Sequence, residues 1–420
     1  MVKSPPRLLI VISIFILLTF GTFFAIKFAK GYRPSFKSKT LQGTGLLSAN
    51  SFPTGASVFI NQKLTTATDD TLNLPPGEYQ VKIAKDGYIP WEKTLQLQAE
   101  LVTQTNTRLF PAVPDLKPLT FSGALNPIPS PDGQKIVFAV NNATTDVKNG
   151  LYILDLLDRP FSLKSDPRQI VRNSSQFDFI QAQLTWSPNS SEILATINPD
   201  KPNQANILLN INSFNDADDY KDVTAQLPII ITEWNELLDK KYQERLLQLP
   251  DFFQQIATQS ASMFFWSPDE EKLMYTATAS AQIPENLITP LPASSTQPEQ
   301  RALEPNNLYI YDIKEDKNFL ITAIPSITPT DSPLSNLSHR YSPITLHHIQ
   351  WYPDSSHVII IESDKLIISE YDATNQHIVY AGPFTESFVF PWPNGSRLIT
   401  LISFNDNSDM PPNLYSINLK

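Results

Sequence analysis

The feature that most constrains this chain is a repeat that begins after residue 120. Five units share one order: an apolar or aromatic strand, a turn built on Pro-Asp or Pro-Asn, and then two more apolar strands. The strand–turn–strand cores of the units lie at residues 126–140, 184–197, 263–277, 348–361 and 388–402. Proline presets φ in such a turn, and the Asp or Asn side chain caps it. A β unit repeated five times predicts an array of similar small sheets.

The turns of these units carry a recognisable motif. It is fullest at Trp186-Ser187-Pro188 and at Trp266-Ser267-Pro268-Asp269, and Ser130-Pro131-Asp132-Gly133 keeps the turn with Pro129 in place of Trp. The turns at 351–354 and 391–394 diverge further. The units resemble the blades of TolB-like, WD-repeat-like β-propellers, whose signature is Trp-Ser-Pro-Asp-Gly. The resemblance implies a propeller over residues 111–420. Because such propellers usually have six blades, we expect either five blades or a degenerate sixth within residues 320–346.

The last unit stops after about three strands, whereas a blade has four. The segment 116–123 is a strand that precedes the first complete unit. It could pair into the last blade, close the ring and hide both edges from solvent.

Residues 232–258 interrupt the β pattern. Trp234, Leu238 and Tyr242 fall near one face of a helix, and a second short helix follows Pro250. The favoured interpretation is a helical insert packed against the propeller. The alternative is a helix that docks a partner, with those three side chains as its contacts. Residues 283–306 are rich in Pro, Ser, Thr, Gln and Glu and predict a flexible loop.

Residues 8–26 carry no charge and would form a helix of roughly 28 Å, about the thickness of a bilayer core. We interpret this run as an uncleaved transmembrane helix within an N-terminal region, 1–40, that ends in a basic juxtamembrane linker. A buried soluble helix and a cleavable signal peptide are the alternatives.

Two arguments favour opposite orientations of this helix in the membrane. Five basic residues follow the helix and two precede it, so the positive-inside count favours a cytoplasmic body. A short tail before a large body is instead typical of a signal anchor. We favour an extracytoplasmic body on a single-pass plasma (inner) membrane protein.

Residues 41–110 alternate between apolar and polar positions, which predicts a small antiparallel sandwich. Tyr79, Val81 and Ile83 share one strand face, and Gly87 supplies a turn. The run Pro53-Thr54-Gly55-Ala56, followed by Leu74-Pro75-Pro76-Gly77-Glu78-Tyr79, resembles the PEGA domain, with Thr where that family has Glu. The resemblance implies a non-catalytic, extracytoplasmic β-sandwich of bacterial envelope proteins. For Trp91 and Tyr88, we favour core packing over exposed ligand stacking. The fold class is therefore mainly β: an N-terminal transmembrane helix, a PEGA-like sandwich and a propeller with a helical insert.

The charge distribution bears on partners. Residues 1–39 hold seven of the 32 Lys and Arg residues and no acid, so the remainder carries 25 basic groups against 42 acidic ones, a net charge of −17. An acidic body repels phosphate backbones, which disfavours nucleic acid, whereas the basic N-terminus suits an anionic membrane surface.

The search for chemical sites returns little. The chain has no cysteine and no G-x-S-x-G, P-loop or dinucleotide motif. Two similar acidic loops, at 213–219 and 403–409, make Asp216, Asp218, Asp406 and Asp409 weak Ca²⁺ candidates. Solvated loops are the favoured interpretation there. We expect no cofactor and no catalytic residue.

These observations favour a non-enzymatic, membrane-anchored scaffold of the cell envelope. Its propeller would bind an envelope protein or a cell-wall polymer, while residues 8–26 contact the lipid bilayer. A propeller glycan hydrolase or lyase is one alternative, and it would need clustered carboxylates or arginines. A purely structural surface spacer is the other.

Overall fold

The computed structural model describes residues 7–29, 31–35, 40–157, 166–199, 201–289, 295–323, 349–385, 388–404 and 411–420. The chain divides into two compact units. The first comprises Met1–Phe110 with Pro290–Gln297, and the second comprises Pro111–Thr289 with Pro298–Lys420.

The first unit begins with an apolar helix, α1 (Arg7–Ala29). Its segment Ile10–Ala29 is long and apolar enough to cross a membrane, and none of that segment is buried inside the protein. Leu, Ile and Phe side chains therefore face outward along its length, for instance Phe15 and Leu17, about 70% exposed. Exposed side chains of this kind are typical of a helix solvated by lipid.

The rest of the first unit is a small β-sandwich. Its strands are β1 (Arg33–Ser35), β2 (Thr40–Gln42), β3 (Gly45–Ala49), β4 (Ser51–Phe52), β5 (Ser57–Ile60), β6 (Lys63–Ala67), β7 (Asp70–Leu74), β8 (Gly77–Ala84), β9 (Trp91–Leu97), β10 (Val102–Gln104) and β11 (Thr107–Arg108). A four-stranded sheet, β6-β5-β8-β9, encloses the core with a three-stranded sheet, β10-β3-β7. The alternation predicted for β8 is confirmed, since Val81 and Ile83 are fully buried. Trp91 is also buried, which confirms its core role, and Tyr88 packs against the same core.

Within its described residues, the second unit contains five four-stranded antiparallel sheets, which we number as blades 1–5. Its strands are β12 (Leu116–Pro118), β13 (Leu125–Pro129), β14 (Lys135–Val140), β15 (Gly150–Asp155), β16 (Arg168–Arg172), β17 (Gln183–Trp186), β18 (Glu192–Ile197), β19 (Ala205–Asn210), β20 (Lys221–Asp222), β21 (Ala261–Trp266), β22 (Lys272–Ala277), β23 (Ala281–Gln282), β24 (Ala302–Leu303), β25 (Asn307–Asp312), β26 (Lys317–Ala323), β27 (Ile349–Trp351), β28 (His357–Ile361), β29 (Lys365–Glu370), β30 (His377–Ala381), β31 (Val389–Pro391), β32 (Arg397–Ile402) and β33 (Asn413–Asn418). Blades 1 and 2 are β13–β16 and β17–β20, blade 3 is β21-β22-β25-β26, blade 4 is β27–β30, and blade 5 is β12-β33-β32-β31. The five sequence units thus become five blades.

Each blade turns between its first two strands through the same seven-residue segment, here called the turn segment. The turn segments are 129–135, 186–192, 266–272, 351–357 and 391–397. Their fifth residues all have a left-handed φ: 69° at Gly133, 56° at Ser190, 61° at Glu270, 60° at Ser355 and 65° at Gly395. In every turn the fifth amide donates to the carbonyl of the second residue over 2.7–3.1 Å. The backbone is therefore repeated five times although only two of these residues are glycine.

Blade 5 is completed by β12, as the sequence predicts. Leu116 lies opposite Ile417 and Pro118 opposite Tyr415 in an antiparallel pair. The Leu119 amide extends the pairing with a 2.7 Å bond to the Leu414 carbonyl. The first strand of the unit is thereby held by its last strand, which confirms the closing role proposed for the segment.

The predicted helical insert is confirmed and begins earlier than expected. It consists of α2 (Leu227–Leu246) and α3 (Asp251–Gln259), with Pro228 in the first turn of α2. On α3, Phe253 and Ile256 are buried and Phe252 is 39% exposed.

Two other predictions for the second unit fall differently. Residues 320–323 of the proposed sixth blade belong to β26 of blade 3, and residues 324–346 lie outside the described residues. The segment 283–306 is built into blade 3 at both of its described ends: β23 pairs with β24, and Ile283 and Leu303 are buried. Its composition is polar, but these two apolar side chains and the buried Arg301 fasten it.

Candidate functional site

Blades 1 and 2 meet through two hydrogen bonds that recur between blades 3 and 4. The Trp186 Nε1–H group donates to the Ile128 carbonyl over 3.2 Å, and the Asp132 amide donates to Ser190 Oγ over 3.1 Å. Between blades 3 and 4, Trp351 Nε1–H donates to the Phe265 carbonyl over 2.8 Å, and the Asp269 amide donates to Ser355 Oγ over 3.0 Å. The first and fifth residues of the turn segment are thus blade-joining positions.

Blades 2 and 3 are joined differently, because α2 lies between them. The N-terminal half of α2 packs on blade 2, where Trp234 and Ile230 contact Leu194 and Leu208. The C-terminal half reaches blade 3, where the Tyr242 ring lies edge-on to Trp266 at 5.9 Å between centroids. α3 then fills the side of blade 3, and its Phe253 stacks on Tyr311 at 4.1 Å.

The blade-joining positions of blade 3 face α2 instead of a blade. Glu270, the fifth residue of its turn segment, accepts a 3.0 Å hydrogen bond from Arg245 Nε. Trp266, the first residue, has a buried Nε1–H with no hydrogen-bond partner among the described residues. A buried donor without an acceptor costs about 1–3 kcal/mol, so this junction is weaker in polar contacts than the other two.

The three docking candidates on α2 can now be placed. Trp234 is buried against blade 2, Tyr242 is partly buried against Phe264 and Trp266, and Leu238 is partly buried. Trp234 and Tyr242 therefore serve the packing interpretation of the insert. Exposed apolar side chains are Ile229 and Leu237 on α2 and Leu247 directly after it, each at least 59% exposed. Docking of a partner on this insert stays a prediction.

A cleft of about 360 Å³ lies where blade 5 meets blade 1. Its walls are residues 124–128 at the start of blade 1 and Thr385, Phe388, Leu401 and Pro412 of blade 5. Except for Ile128, which directly precedes a turn segment, these residues lie toward the blade ends opposite the turn segments. The cleft is of the size that holds a small ligand or one side chain of a macromolecule.

The cleft has a distinctive polar corner. β13 is irregular between Leu125 and Ile128, and within that bulge Asn126 adopts φ 46° with an exposed side chain. A bulge re-aims the side chain that it carries. The carboxamide of Asn126 offers both donors and an acceptor, and Thr385 adds a hydroxyl, while Phe388, Leu401 and Pro412 are apolar. Among the described residues that line the cleft, none carries a charged side chain. These residues suit a group with an apolar body and a polar edge.

The Ca²⁺ candidates fall on an exposed loop. Asp216 and Asp218 are exposed, and the loop is held by Asn215, whose amide donates to the Ile170 carbonyl over 2.8 Å. Asp406 and Asp409 lie outside the described residues. Within the described part of the chain, no group of three or more His, Asp or Glu side chains is arranged to hold a metal ion.

Burial perturbs several titratable groups inside blade 3. Burial raises the pKa of the Asp312 carboxyl, although Lys272 Nζ lies 3.9 Å away. Burial also raises the pKa of Tyr275 far above its usual value, and its hydroxyl donates to Asn318 over 2.8 Å. Perturbed groups can mark active sites, but structural networks perturb pKa values as well. Here each group has a partner within its own blade, so we assign these pKa shifts to the structural network of the blade.

Comparison with known proteins identifies one domain. Residues 44–112 match the model of the PEGA domain. Comparison with curated proteins returns no match. Among solved structures, the chain is similar to a putative TolB from Agrobacterium tumefaciens, at 11% identity over 76% of each chain and a TM-score of 0.21. It is also similar to an oligogalacturonate lyase from Vibrio parahaemolyticus, at 11% identity over 90% of this chain and 98% of that one, with a TM-score of 0.26. At these levels neither activity transfers.

The sequence did not reveal the cleft. Its two walls are more than 250 residues apart in the chain, and the packing of blade 5 against blade 1 brings them together. The signal that could have suggested it is Asn126-Pro127 at the start of a blade strand, since proline there lacks the amide needed for regular pairing.

Proposed function

We propose that this protein is a membrane-anchored, extracytoplasmic binding scaffold of the cell envelope. Its propeller is the platform for another envelope protein or a cell-wall polymer, and it carries out no catalysis. The observation that carries this proposal is the cleft between blades 5 and 1, a concave site with a polar corner at Asn126 and Thr385. The apolar helix α1 and the PEGA domain support attachment to a membrane and an envelope location.

The anchoring part of the proposal rests on α1. Its unburied, apolar surface would be unstable in water and is matched to a bilayer core. The basic residue Lys27 lies in the last turn of α1, where anionic headgroups would attract it. We expect the full chain to sediment with membranes and to resist extraction by high salt, whereas detergent should release it. Release by salt alone would mean that α1 does not span the bilayer.

The side of the membrane is tested by protease digestion. Intact cells, cells with a permeabilised outer layer and lysed cells are treated in parallel, and antibody to the propeller reports digestion. Digestion of intact or permeabilised cells supports an extracytoplasmic body. Protection until full lysis would place the body in the cytoplasm, as the positive-inside count suggests.

The binding part is tested at the cleft. Thr385→Arg fills the cleft with a bulky charge, and Thr232→Arg, on an exposed face of α2, is the matched control. Chemical crosslinking on cells, followed by mass spectrometry, should capture a partner or glycan with wild type and the control but at least about tenfold less with Thr385→Arg. Equal capture by all three would reject the cleft as the site. No capture at all would favour the spacer function, and turnover in a glycan-hydrolysis screen would favour the enzyme.

A further inference from the structure

The contact between α2 and blade 3 has a weak polar part, beside the packing of Tyr242 against Phe264 and Trp266. Arg245 and Glu270 form an ion pair whose side chains are 28% and 41% exposed. The guanidinium of Arg245 also lies over the ring of Trp266 at 5.7 Å, and no acceptor for the Nε1–H of that ring lies in the described part of the chain. Exposed ion pairs contribute little to stability, and a buried donor without an acceptor disfavours the closed contact between α2 and blade 3. The polar part of this contact therefore contributes little, and opening it mainly separates the ring of Tyr242 from those of Phe264 and Trp266.

The two neighbouring contacts are apolar and buried. On blade 2, Trp234 is 8% exposed and packs with Leu194 and Val223, which are at most 3% exposed. On blade 3, Phe253 of α3 is fully buried and stacks on Tyr311. The N-terminal half of α2 is thus fastened to blade 2, and α3 is fastened to blade 3.

Between these two fastenings the chain can bend. α2 ends at Leu246 and α3 begins at Asp251. The residues between them end in Pro250, whose φ of −53° and ψ of 139° interrupt the helical path. Short non-helical joints of this kind absorb the dihedral changes of hinge motion.

We propose that the contact between the C-terminal half of α2 and blade 3 is a latch, through which the propeller opens reversibly between blades 2 and 3. In the open state α2 stays on blade 2 and α3 stays on blade 3. The Arg245–Glu270 pair breaks, and the faces of Phe264 and Trp266 become accessible. The junction of blades 3 and 4 stays closed, because it keeps both blade-joining hydrogen bonds. This proposal is independent of the ligand-binding proposal above.

Two adjacent residues of β21 make the test possible. Phe264 faces α2, where its ring lies 6.3 Å from that of Tyr242, and Phe265 packs in the core shared with blade 4. Both side chains are partly buried. Because the chain has no cysteine, Phe264→Cys and Phe265→Cys each introduce a single thiol. The labelling rate of a buried thiol reports how often its site opens.

We expect the thiol of Phe264→Cys to react with a maleimide at least about fivefold faster than that of Phe265→Cys. Adding Glu270→Gln should accelerate labelling of the first thiol a further two- to fivefold, roughly the factor expected for losing one partly exposed ion pair, and leave the second unchanged. The matched control is Glu362→Gln, which removes a similarly exposed pair with Lys365 at 2.8 Å in blade 4. It should change neither rate.

Three results would overturn the latch. The two thiols could react equally fast, Glu270→Gln could leave the Phe264→Cys rate unchanged, or it could accelerate both thiols alike, which is global unfolding. Melting curves check that each variant folds. If Phe264→Cys does not fold, Leu246→Cys probes the same contact from the α2 side, where Leu246 is partly buried in the same core.

Discussion

Blade 3 has two neighbours of different kinds, and the contrast shows how a repeat protein accommodates an insert. On one side Met274, Ile310 and Phe319 pack against blade 4. On the other side Tyr275, Tyr309 and Tyr311 pack against α3. The backbone of the turn segment is the same in blades 3 and 4, down to the left-handed fifth residue. The backbone of the turn segment is therefore the same in both blades, while its side chains contact different partners.

This difference in partners explains an odd choice of residues. The fifth residue of the turn segment is Ser in blades 2 and 4, where its hydroxyl accepts a bond from the preceding blade. In blade 3 it is Glu, whose longer side chain reaches Arg245 on α2. A helix surface stands farther from a sheet than a packed neighbouring strand. A longer side chain suits that larger gap.

The largest expected effect tests whether α3 is an integral part of the core. Phe253→Ala removes a fully buried ring on the helical side of blade 3, and Phe319→Ala removes a ring that is 1% exposed on the blade 4 side. We expect each to lower the free energy of unfolding by about 3–5 kcal/mol, because each leaves a cavity. Denaturant unfolding measures both. A loss below about 1 kcal/mol for Phe253→Ala alone would show that α3 is a dispensable appendage.

A smaller difference in stability is expected between variants of Trp351 and Trp266. Trp351→Phe removes the Nε1–H donor of a 2.8 Å bond and leaves the Phe265 carbonyl without it. Trp266→Phe removes a donor that has no partner within the ranges that the structure describes. Both lose similar ring area, so we expect Trp351→Phe to be more destabilising by about 1–2 kcal/mol. The comparison would fail if the two variants were equally stable, since the Trp266 donor would then have an acceptor.

The smallest effect concerns the fifth residue of the turn segment. Ser355→Ala keeps the backbone conformation but removes the acceptor for the Asp269 amide, so we expect a loss of about 1 kcal/mol. Glu270→Ala removes a partly exposed ion pair and should lower the free energy of unfolding by about 0.2–1 kcal/mol. This loss should vanish in 1 M salt, because salt screens the pair. Urea titrations at low and high salt distinguish the two. A salt-dependent Ser355→Ala effect would contradict the assignment.

Local patterns made much of the fold predictable. Five turn motifs identified five blades, the alternation of β8 identified a core face, and an unpaired strand near residue 116 identified the closing strand. These features depend on residues close in sequence. The insert was predicted from residue 232, yet α2 begins at Leu227, because the apolar run after Pro228 fits a strand as well as a helix.

Features that depend on distant pairing were not predictable. The sequence showed the helical face of α2 that holds Trp234. It did not show whether that face packs on blade 2 or on a partner, since an apolar face suits both. Polar composition suggested a flexible segment at 283–306, while two buried residues, Ile283 and Leu303, fix its ends. The cleft required the packing of blade 5 against blade 1.

The pairing of β12 with β33 also has a consequence for biosynthesis. The first strand of the propeller emerges from the ribosome some 300 residues before its partner. Until then β12 has no partner strand, and the face of blade 1 that blade 5 covers stays exposed. Exposed edges and faces of this kind are prone to aggregation. Contacts of this sequence separation also slow folding. A chain of this design should depend on chaperones during synthesis, and its completion should be governed by its final strand.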